Sequence, residues 1–334
     1  MTWEEEIIEY TRKIERNPNY DAYYNRGRAY SELGKYEQAI QDFNKAIELN
    51  PNNKYVYESR GEVYYELKQY ERAISDLEKF IEADPCAAYY HGIKRLVGDA
   101  YIKSRQYERA VQYLSKFIEQ SHCYYNYENP SCFYFRGKAY LNLNQYEQAN
   151  KDFNAVVDIY NELLKNVSDN VASYDRRGKA YYELKQYEQA LQDFNKAIEL
   201  NNEYKSAYNN RGLVYLDLGK FGKALEDFNK AIELYLENKN FPYDYDLAYE
   251  EFYNHRGLAY LGLGELEKAI EDFNKSIELN PSFEEAYANR AEAYSKVFGQ
   301  NEAAIKDYDK LGRVGKLKVN NSRGEKNEIL KAIS

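Results

Sequence analysis

Apolar and small residues recur along the chain in two alternating stripes, each with the spacing of one face of an α-helix. The first stripe is Tyr23, Gly27 and Tyr30, and the second is Ala39, Phe43 and Ala46. Spacings of three and four residues predict amphipathic helices. Leu33-Gly34 separates the stripes and Asn50-Pro51 follows the second, and these are residues that turn and end helices. The pattern therefore predicts a pair of helices joined by a tight turn.

The same helix pair recurs along the chain, and a column of glycines marks its period. The members are Gly27, Gly61, Gly98, Gly137, Gly178, Gly212 and Gly257, with Ala291 in the eighth place. They are 34, 37, 39, 41, 34, 45 and 34 residues apart, so the basic unit has 34 residues and four junctions are longer. Glycine is expected where the second helix approaches the first. Since neither helix buries its stripe alone, neighbouring units must stack.

The predicted fold class is all-α, a solenoid of about eight helix-turn-helix repeats with an amino-terminal half-repeat and a carboxy-terminal tail or capping helix. The half-repeat covers residues 1–19, the repeats cover 20–53, 54–87, 91–124, 130–163, 171–204, 205–238, 250–283 and 284–318, and the tail covers 319–334. Trp3, Ile7 and Tyr10 match a second helix without its first, as expected of a cap. Extra residues at Asn161–Lys165 predict a helix two turns longer than its counterparts, and Asn327–Ile333 a short closing helix.

These columns give the chain a resemblance to the tetratricopeptide repeat family over about residues 1–318. All eight tyrosine positions of the pattern are filled, by Tyr30, Tyr64, Tyr101, Tyr140, Tyr181, Tyr215, Tyr260 and Tyr294. The resemblance implies a right-handed superhelix whose first helices line a concave groove, and binding of peptides or partner proteins. Some family members grip a terminal carboxylate with Lys and Asn from three repeats. Tyr24, Arg28, Glu58 and Arg95 stand in that region here, so the resemblance does not extend to that grip.

An arginine precedes the glycine column in seven repeats, and an aspartate precedes the apolar residue of the second helix in the same seven. The arginines are Arg26, Arg60, Arg136, Arg177, Arg211, Arg256 and Arg290; the aspartates are Asp42, Asp76, Asp152, Asp193, Asp227, Asp272 and Asp307. The third repeat has Val97 and Tyr113 instead, so both partners are lost together. An arginine ladder for phosphate or carboxylate is one interpretation. The joint loss favours structural ion pairs within each repeat.

Three groups of residues are candidates for partner binding. Glu58, Glu62 and Tyr65 lie on the face of the second repeat's first helix that should be exposed, which predicts an acidic surface for a basic peptide. Repeats six and seven should expose a second group, Asn209, Asn210, Leu213 and Leu216 with Asn254, His255, Leu258 and Leu261. Their amides suit a peptide backbone and their leucines an apolar side chain, unless the long junctions cover this face. The third group is aromatic and lies in two junctions: Tyr125, Tyr127, Phe241, Tyr243 and Tyr245.

Composition narrows the function. The net charge of −9 disfavours nucleic acid and anionic membrane surfaces, although Lys310–Ser334 is locally basic, with seven basic and two acidic residues. Three cysteines are too few for a disulfide framework, which favours reduced thiols and, with an acidic start in place of a secretory signal, a cytoplasmic location. A metal site from His91, His122, Cys123 and Cys132 lacks organising spacing. No phosphate-binding loop or nucleophile elbow is present, so no enzyme activity and no cofactor are expected.

The function predicted from the sequence is a protein–protein interaction adaptor or scaffold that is monomeric when free. It would bind a peptide or protein in the groove and at the aromatic junctions, without nucleic acid or membrane. A regulatory subunit that senses a signal and controls a separate enzyme is an alternative, because nearest-neighbour stacking makes flexing inexpensive. Self-association through the end helices is another.

Overall fold

The computed structural model describes residues 2–85, 92–120, 130–237, 249–297 and 301–314, and these ranges contain helices and their connections but no strand. The helices are α1 Trp3–Arg16, α2 Tyr20–Glu32, α3 Tyr36–Leu49, α4 Lys54–Glu66, α5 Tyr70–Ala83, α6 Ile93–Lys103, α7 Tyr107–Gln120, α8 Pro130–Asn142, α9 Tyr146–Asn166, α10 Val171–Glu183, α11 Tyr187–Leu200, α12 Lys205–Asp217, α13 Phe221–Glu237, α14 Tyr249–Leu263, α15 Leu266–Leu279, α16 Glu284–Lys296 and α17 Asn301–Val314. The predicted all-α repeat fold is confirmed.

Two compact units divide the chain, unit 1 ending at Asn161 and unit 2 beginning at Glu162. Unit 1 holds α1 and the helix pairs of repeats one to four, and unit 2 holds the pairs of repeats five to eight. The boundary falls within α9, which has 21 residues where α3, α5 and α11 have 14. The lengthening predicted at Asn161–Lys165 is therefore confirmed. The predicted closing helix at Asn327–Ile333 lies outside the described residues.

The lone helix α1 caps the first repeat, as the half-repeat predicts. It begins with a capping box, in which the Thr2 side chain accepts from the Glu5 backbone N–H and the Glu5 carboxylate accepts from the Thr2 N–H at 2.9 Å. This exchange satisfies two amide donors that a helix start leaves without partners. The helix packs against α2.

Glycine allows the two helices of a repeat to approach closely in seven of the eight repeats. A Cβ atom added at Gly27 would lie 2.8 Å from Phe43 Cε1, and one at Gly212 would lie 2.6 Å from Phe228 Cε1. Real Cβ contacts are essentially never this short, and Phe43 and Phe228 are fully buried. The small-and-large pairing predicted from the stripes is thus a direct packing requirement.

The turn between the two helices requires one residue with positive φ, in the left-handed region of backbone conformations. Glycines supply it in three repeats, Gly34 and Gly219 at φ 68° and Gly264 at φ 78°. Four other repeats place side-chain-bearing residues there at φ between 59° and 62°, namely Lys68, Arg105, Asn144 and Lys185. Such residues sit in a conformation that costs about 1–2 kcal/mol relative to ordinary helix geometry. The turn is therefore locally strained in these four repeats.

The predicted arginine–aspartate pairs form in all seven repeats that carry them. In each pair the guanidinium donates Nε–H and Nη2–H to both carboxylate oxygens, over 2.6 to 2.9 Å. In six of them Nη1 also reaches a polar side chain of the preceding second helix: Thr11, Asn44, Ser115, Asn195, Asn229 or Asn274. We call this three-way contact the arginine bridge. It joins the helices of one repeat and ties them to the repeat before.

Candidate functional site

Four carboxylate side chains, all buried or half-buried, come together on the first helices of repeats one and two, in unit 1. Glu58, Glu62 and Glu66 are spaced four residues apart and so share one side of α4. Glu32 ends α2, which packs beside α4. We call these four carboxylates the acidic face. It contains two of the three residues that the sequence proposed for a basic partner.

Glu62 is the most strongly perturbed carboxyl of the acidic face. Burial raises its pKa from 4.5 to about 8, and the negative charges of Glu58, Glu66 and Glu32 add to the shift, while Arg28 opposes it. Burial also raises the pKa of Glu32. No hydrogen bond to the Glu62 carboxyl is found among the described residues. A half-buried carboxyl group surrounded by like charges lacks compensation, and a cation placed against it would supply that compensation.

Tyr65 and Glu58 have different surroundings from those the sequence predicted. The Tyr65 hydroxyl donates to the Asp99 carboxylate, so it connects α4 of repeat two to α6 of repeat three. Burial raises the pKa of Tyr65, and the Asp99 charge adds to the shift. Glu58 is only 8% exposed. The prediction that Glu58 lies on an open surface is wrong, and Tyr65 is half-buried with its hydroxyl bound to the first helix of the next repeat.

Unit 2 carries a row of hydrogen bonds between successive first helices, which we call the polar ladder. The residue two places before the glycine column bonds to the residue three places before it in the preceding repeat. Asn210 Nδ2 donates to Asp175 Oδ1 at 2.7 Å, His255 Nδ1 lies 3.0 Å from Asn209 Oδ1, and Asn289 Nδ2 donates to Asn254 Oδ1 at 2.9 Å. The ladder spans α10, α12, α14 and α16. Four of its members are residues that the sequence assigned to partner binding.

The amides of the polar ladder are not exposed. Asn209 and Asn254 are 5% and 2% exposed, and burial lowers the pKa of His255, against the opposing charge of Glu251. Their predicted position on an open face is wrong, since adjacent first helices meet along this line. Buried polar groups are expected to be hydrogen-bonded, and here the partners come from the next repeat.

The four leucines of this region are half-buried and belong to local cores. Leu213 and Leu216 pack against the cluster of Ala224, Phe228 and Ala259. Leu258 and Leu261 pack against the cluster of Ala269, Phe273 and Ala293. Each pair contacts the core of its own repeat and an alanine of the next repeat, and the groove that they were expected to line stays a prediction.

The remaining candidates fall largely where the chain is not described. Tyr125, Tyr127, Phe241, Tyr243 and Tyr245 lie outside the described residues, as do His91, His122 and Cys123. Cys132 is described and is 3% exposed, with burial raising its thiol pKa to about 11. Across the described ranges no three His, Cys, Asp or Glu side chains are grouped as a metal ion would require.

None of the described helices combines the length and the apolar character that crossing a bilayer demands.

Family profiles match most of the repeats. Profiles described as "Tetratricopeptide repeat" match residues 14–53, 43–75, 97–163, 206–238 and 250–283, and one described as "TPR repeat" matches 178–219. The chain belongs to the tetratricopeptide repeat family. Repeats of this family are in general protein–protein interaction modules.

Individual relatives are more distant. A chain of the Cut9–Hcn1 hetero-tetramer of the APC/C aligns with 95% of this chain and 56% of its own length, with 15% identity and a TM-score of 0.55. A tetratricopeptide repeat protein from Parabacteroides merdae aligns with 83% of this chain and 97% of its own, with 19% identity and a TM-score of 0.48. The first of these likenesses indicates the fold alone.

A curated relative is similar over a short stretch. A UDP-N-acetylglucosamine–peptide N-acetylglucosaminyltransferase of Giardia intestinalis is 47% identical over 49 residues, which are 14% of this chain and 3% of that protein. The chain thus matches only a small fraction of this relative's length.

Sequence reasoning missed both contacts between repeats. The third partner of each arginine bridge is a polar residue, usually the asparagine that follows the Phe of the second helix, as in Asn44 and Asn195. The polar ladder has a signal too, because Asp175, Asn209 and Asn254 hold the same place in successive repeats. Both patterns become visible when one repeat is compared with the next and not only with itself.

Proposed function

We propose that this protein is an adaptor whose acidic face binds a basic segment of a partner protein. The observation that carries the proposal is the Glu62 carboxyl, which is half-buried, has a pKa near 8 and has no hydrogen-bonding partner in the described part of the chain. A Lys or Arg side chain placed against it would compensate several negative charges at once.

The choice between the candidate surfaces follows from what their polar groups already do. In unit 2 the amides of Asn209 and Asn254 bond to the next repeat, and the leucines fill local cores. In unit 1 the acidic face contains the Glu62 carboxyl, where the negative charges of Glu58, Glu66 and Glu32 outweigh the positive charge of Arg28. The family supplies the general role, a protein-binding module, and the acidic face supplies the chemistry of the partner. This role needs neither a catalytic group nor a cofactor.

Binding is expected to be coupled to proton release. Near neutral pH the Glu62 carboxyl of the free protein is largely protonated, because its pKa is about 8. An approaching cation favours the charged form and so lowers that pKa. Affinity for the basic segment should therefore rise as the pH rises from about 6.5 to 8.5.

The test uses a fluorescein-labelled twelve-residue peptide of alternating Lys and Ser, with a Glu–Ser peptide for comparison. Fluorescence anisotropy would measure binding to the wild type and to a Glu62→Gln/Glu66→Gln variant. We expect the variant to bind the basic peptide at least about fivefold more weakly, since the loss of partly buried charge pairs costs about 1 kcal/mol or more.

A matched variant controls for overall charge. Glu71→Gln/Glu82→Gln removes two carboxylates from exposed positions of α5, a second helix, and changes the net charge equally. It should bind the basic peptide as the wild type does. Equal weakening in both variants would mean nonspecific attraction to an acidic protein, and no binding by the wild type would refute the proposal.

A further inference from the structure

The third repeat lacks the arginine–aspartate pair that the other seven repeats contain, and with it the arginine bridge. Val97 and Tyr113 occupy the positions of the arginine and the aspartate, and Val97 is fully buried. The preceding second helix presents Glu78 where repeat one presents Asn44, directly after the apolar residue of the second helix. Without an arginine at position 97, Glu78 instead accepts a hydrogen bond from the Tyr101 hydroxyl at 2.7 Å. At this point a neutral tyrosine hydroxyl, and not a guanidinium, joins repeat three to repeat two.

Tyr113 leaves a second defect at the same place. Its hydroxyl oxygen is buried and has no hydrogen-bonding partner in the described part of the chain. The ring packs against Tyr101 and Phe117, with ring centres 5.6 and 4.7 Å apart. Burying a hydroxyl without a partner penalises the folded state, whereas in repeat two both carboxylate oxygens of Asp76 accept hydrogen bonds from Arg60. Two features thus distinguish this repeat from the bridged ones: it has no arginine bridge, and it buries a hydroxyl without a partner in the described part of the chain.

The neighbouring helix links this repeat to the Cys132 thiol. Both α6 and α7 pack against α8, which carries Cys132, and the thiol is 3% exposed. The thiol is therefore covered as long as the third repeat stays closed.

We propose that the third repeat is a built-in opening point of unit 1, where α6 and α7 unfold locally more often than the helices of the bridged repeat two, and that each opening exposes Cys132. Stability in repeat arrays is a sum of repeat and nearest-neighbour contributions, so a missing bridge lowers protection locally. The inference does not depend on the proposed function.

Hydrogen exchange followed by mass spectrometry on the full chain provides the first test. Peptides from α6 and α7 should exchange about tenfold faster than those from α4 and α5, a ratio equivalent to about 1.4 kcal/mol. In Tyr113→Phe, which removes only the unpartnered hydroxyl, exchange of α6 and α7 should slow. Equal protection of the two repeats in the wild type, or no slowing in Tyr113→Phe, would overturn the proposal.

Two variants, in which residues are swapped between the bridged and the unbridged repeat, test the arginine bridge itself. Val97→Arg/Tyr113→Asp installs an arginine and an aspartate at the spacing of the other repeats, and should slow exchange of α6 and α7. Arg60→Val/Asp76→Tyr gives repeat two the residues of repeat three, and should make α4 and α5 exchange as fast as α6 and α7. If α4 and α5 keep their protection in the second variant, the bridge does not control opening and the proposal fails.

Thiol labelling provides a readout specific to opening. In a Cys86→Ser/Cys123→Ser background, Cys132 is the remaining thiol, and its reaction with iodoacetamide should slow about tenfold when Tyr113→Phe is added, in parallel with exchange of α6 and α7. A labelling rate that does not change while exchange does would separate Cys132 from the opening and refute that part of the proposal.

Discussion

Replacing one crowded glycine tests the packing on which every repeat depends. At Gly212 an added Cβ atom would lie 2.6 Å from Phe228 Cε1 and 2.9 Å from Cδ1. Phe228 is fully buried between Ala224 and Ala259, so its ring has little room to withdraw. Overpacking of this kind costs about 1–3 kcal/mol, and the better helix propensity of alanine returns up to about 1 kcal/mol. Gly212→Ala is therefore expected to lower the free energy of unfolding by about 1 kcal/mol.

The same repeat offers a matched control. Gly222 lies in α13, and an added Cβ atom would meet no heavy atom within 4 Å. Gly222→Ala should raise the free energy of unfolding by about 0.5 kcal/mol through propensity alone. Urea unfolding followed by circular dichroism at 222 nm would compare both variants with the wild type. If Gly212→Ala stabilises the protein as much as Gly222→Ala does, the close approach does not require glycine and the reasoning is refuted.

Three further predictions concern stability. Glu62→Gln should raise the free energy of unfolding by several kcal/mol, at most about 5, at pH 9 and leave it nearly unchanged at pH 4. The folded state holds a proton on Glu62 up to about pH 8 and the unfolded state releases it near pH 4.5, so stability falls by about 1.4 kcal/mol per pH unit between these values. Asp272→Asn should lower it by about 2 kcal/mol, since the half-buried Arg256 loses its carboxylate partner. Lys185→Gly should raise the free energy of unfolding by about 0.5 kcal/mol, because glycine adopts φ 59° without strain. Gly219→Ala should lower the free energy of unfolding by about 1 kcal/mol, because it places a side chain at φ 68°.

Urea unfolding at fixed pH checks each of these values. An effect of Glu62→Gln that is the same at both pH values would show that its carboxyl is not perturbed. An unchanged stability in Asp272→Asn would reduce the bridge to a surface contact. Opposite signs from those expected for Lys185→Gly and Gly219→Ala would mean that the turn is not strained by a side chain.

The fold could be predicted from the sequence because local geometry and burial act on the same residues. A small residue at the position of Gly27 must face a large apolar residue at the position of Phe43 for a helix pair to close, so the two columns recur together, with Ala291 in place of glycine in the eighth repeat. The pairing of Arg26 with Asp42 was predictable for the same reason, since Val97 and Tyr113 replace both members at once.

The candidate site was harder to predict because exposure depends on the neighbouring repeat. Helical phase places Asn209 and Glu58 away from the core of their own repeat, and the sequence therefore assigns both to an open face. The adjacent first helix covers that phase, and both are buried. The raised pKa of Glu62 likewise comes first from burial, which the spacing of Glu58, Glu62 and Glu66 within α4 does not indicate, although that spacing does place the three charges together.

Proton release on binding tests the central claim most directly. Isothermal titration calorimetry of the Lys–Ser peptide at pH 7.5, in two buffers of different ionisation enthalpy, measures the number of protons released. The account predicts release of a large fraction of one proton by the wild type and almost none by Glu62→Gln, because the bound cation drives the Glu62 carboxyl to its charged form. Binding with the same proton count in both proteins would place the peptide elsewhere and contradict the account.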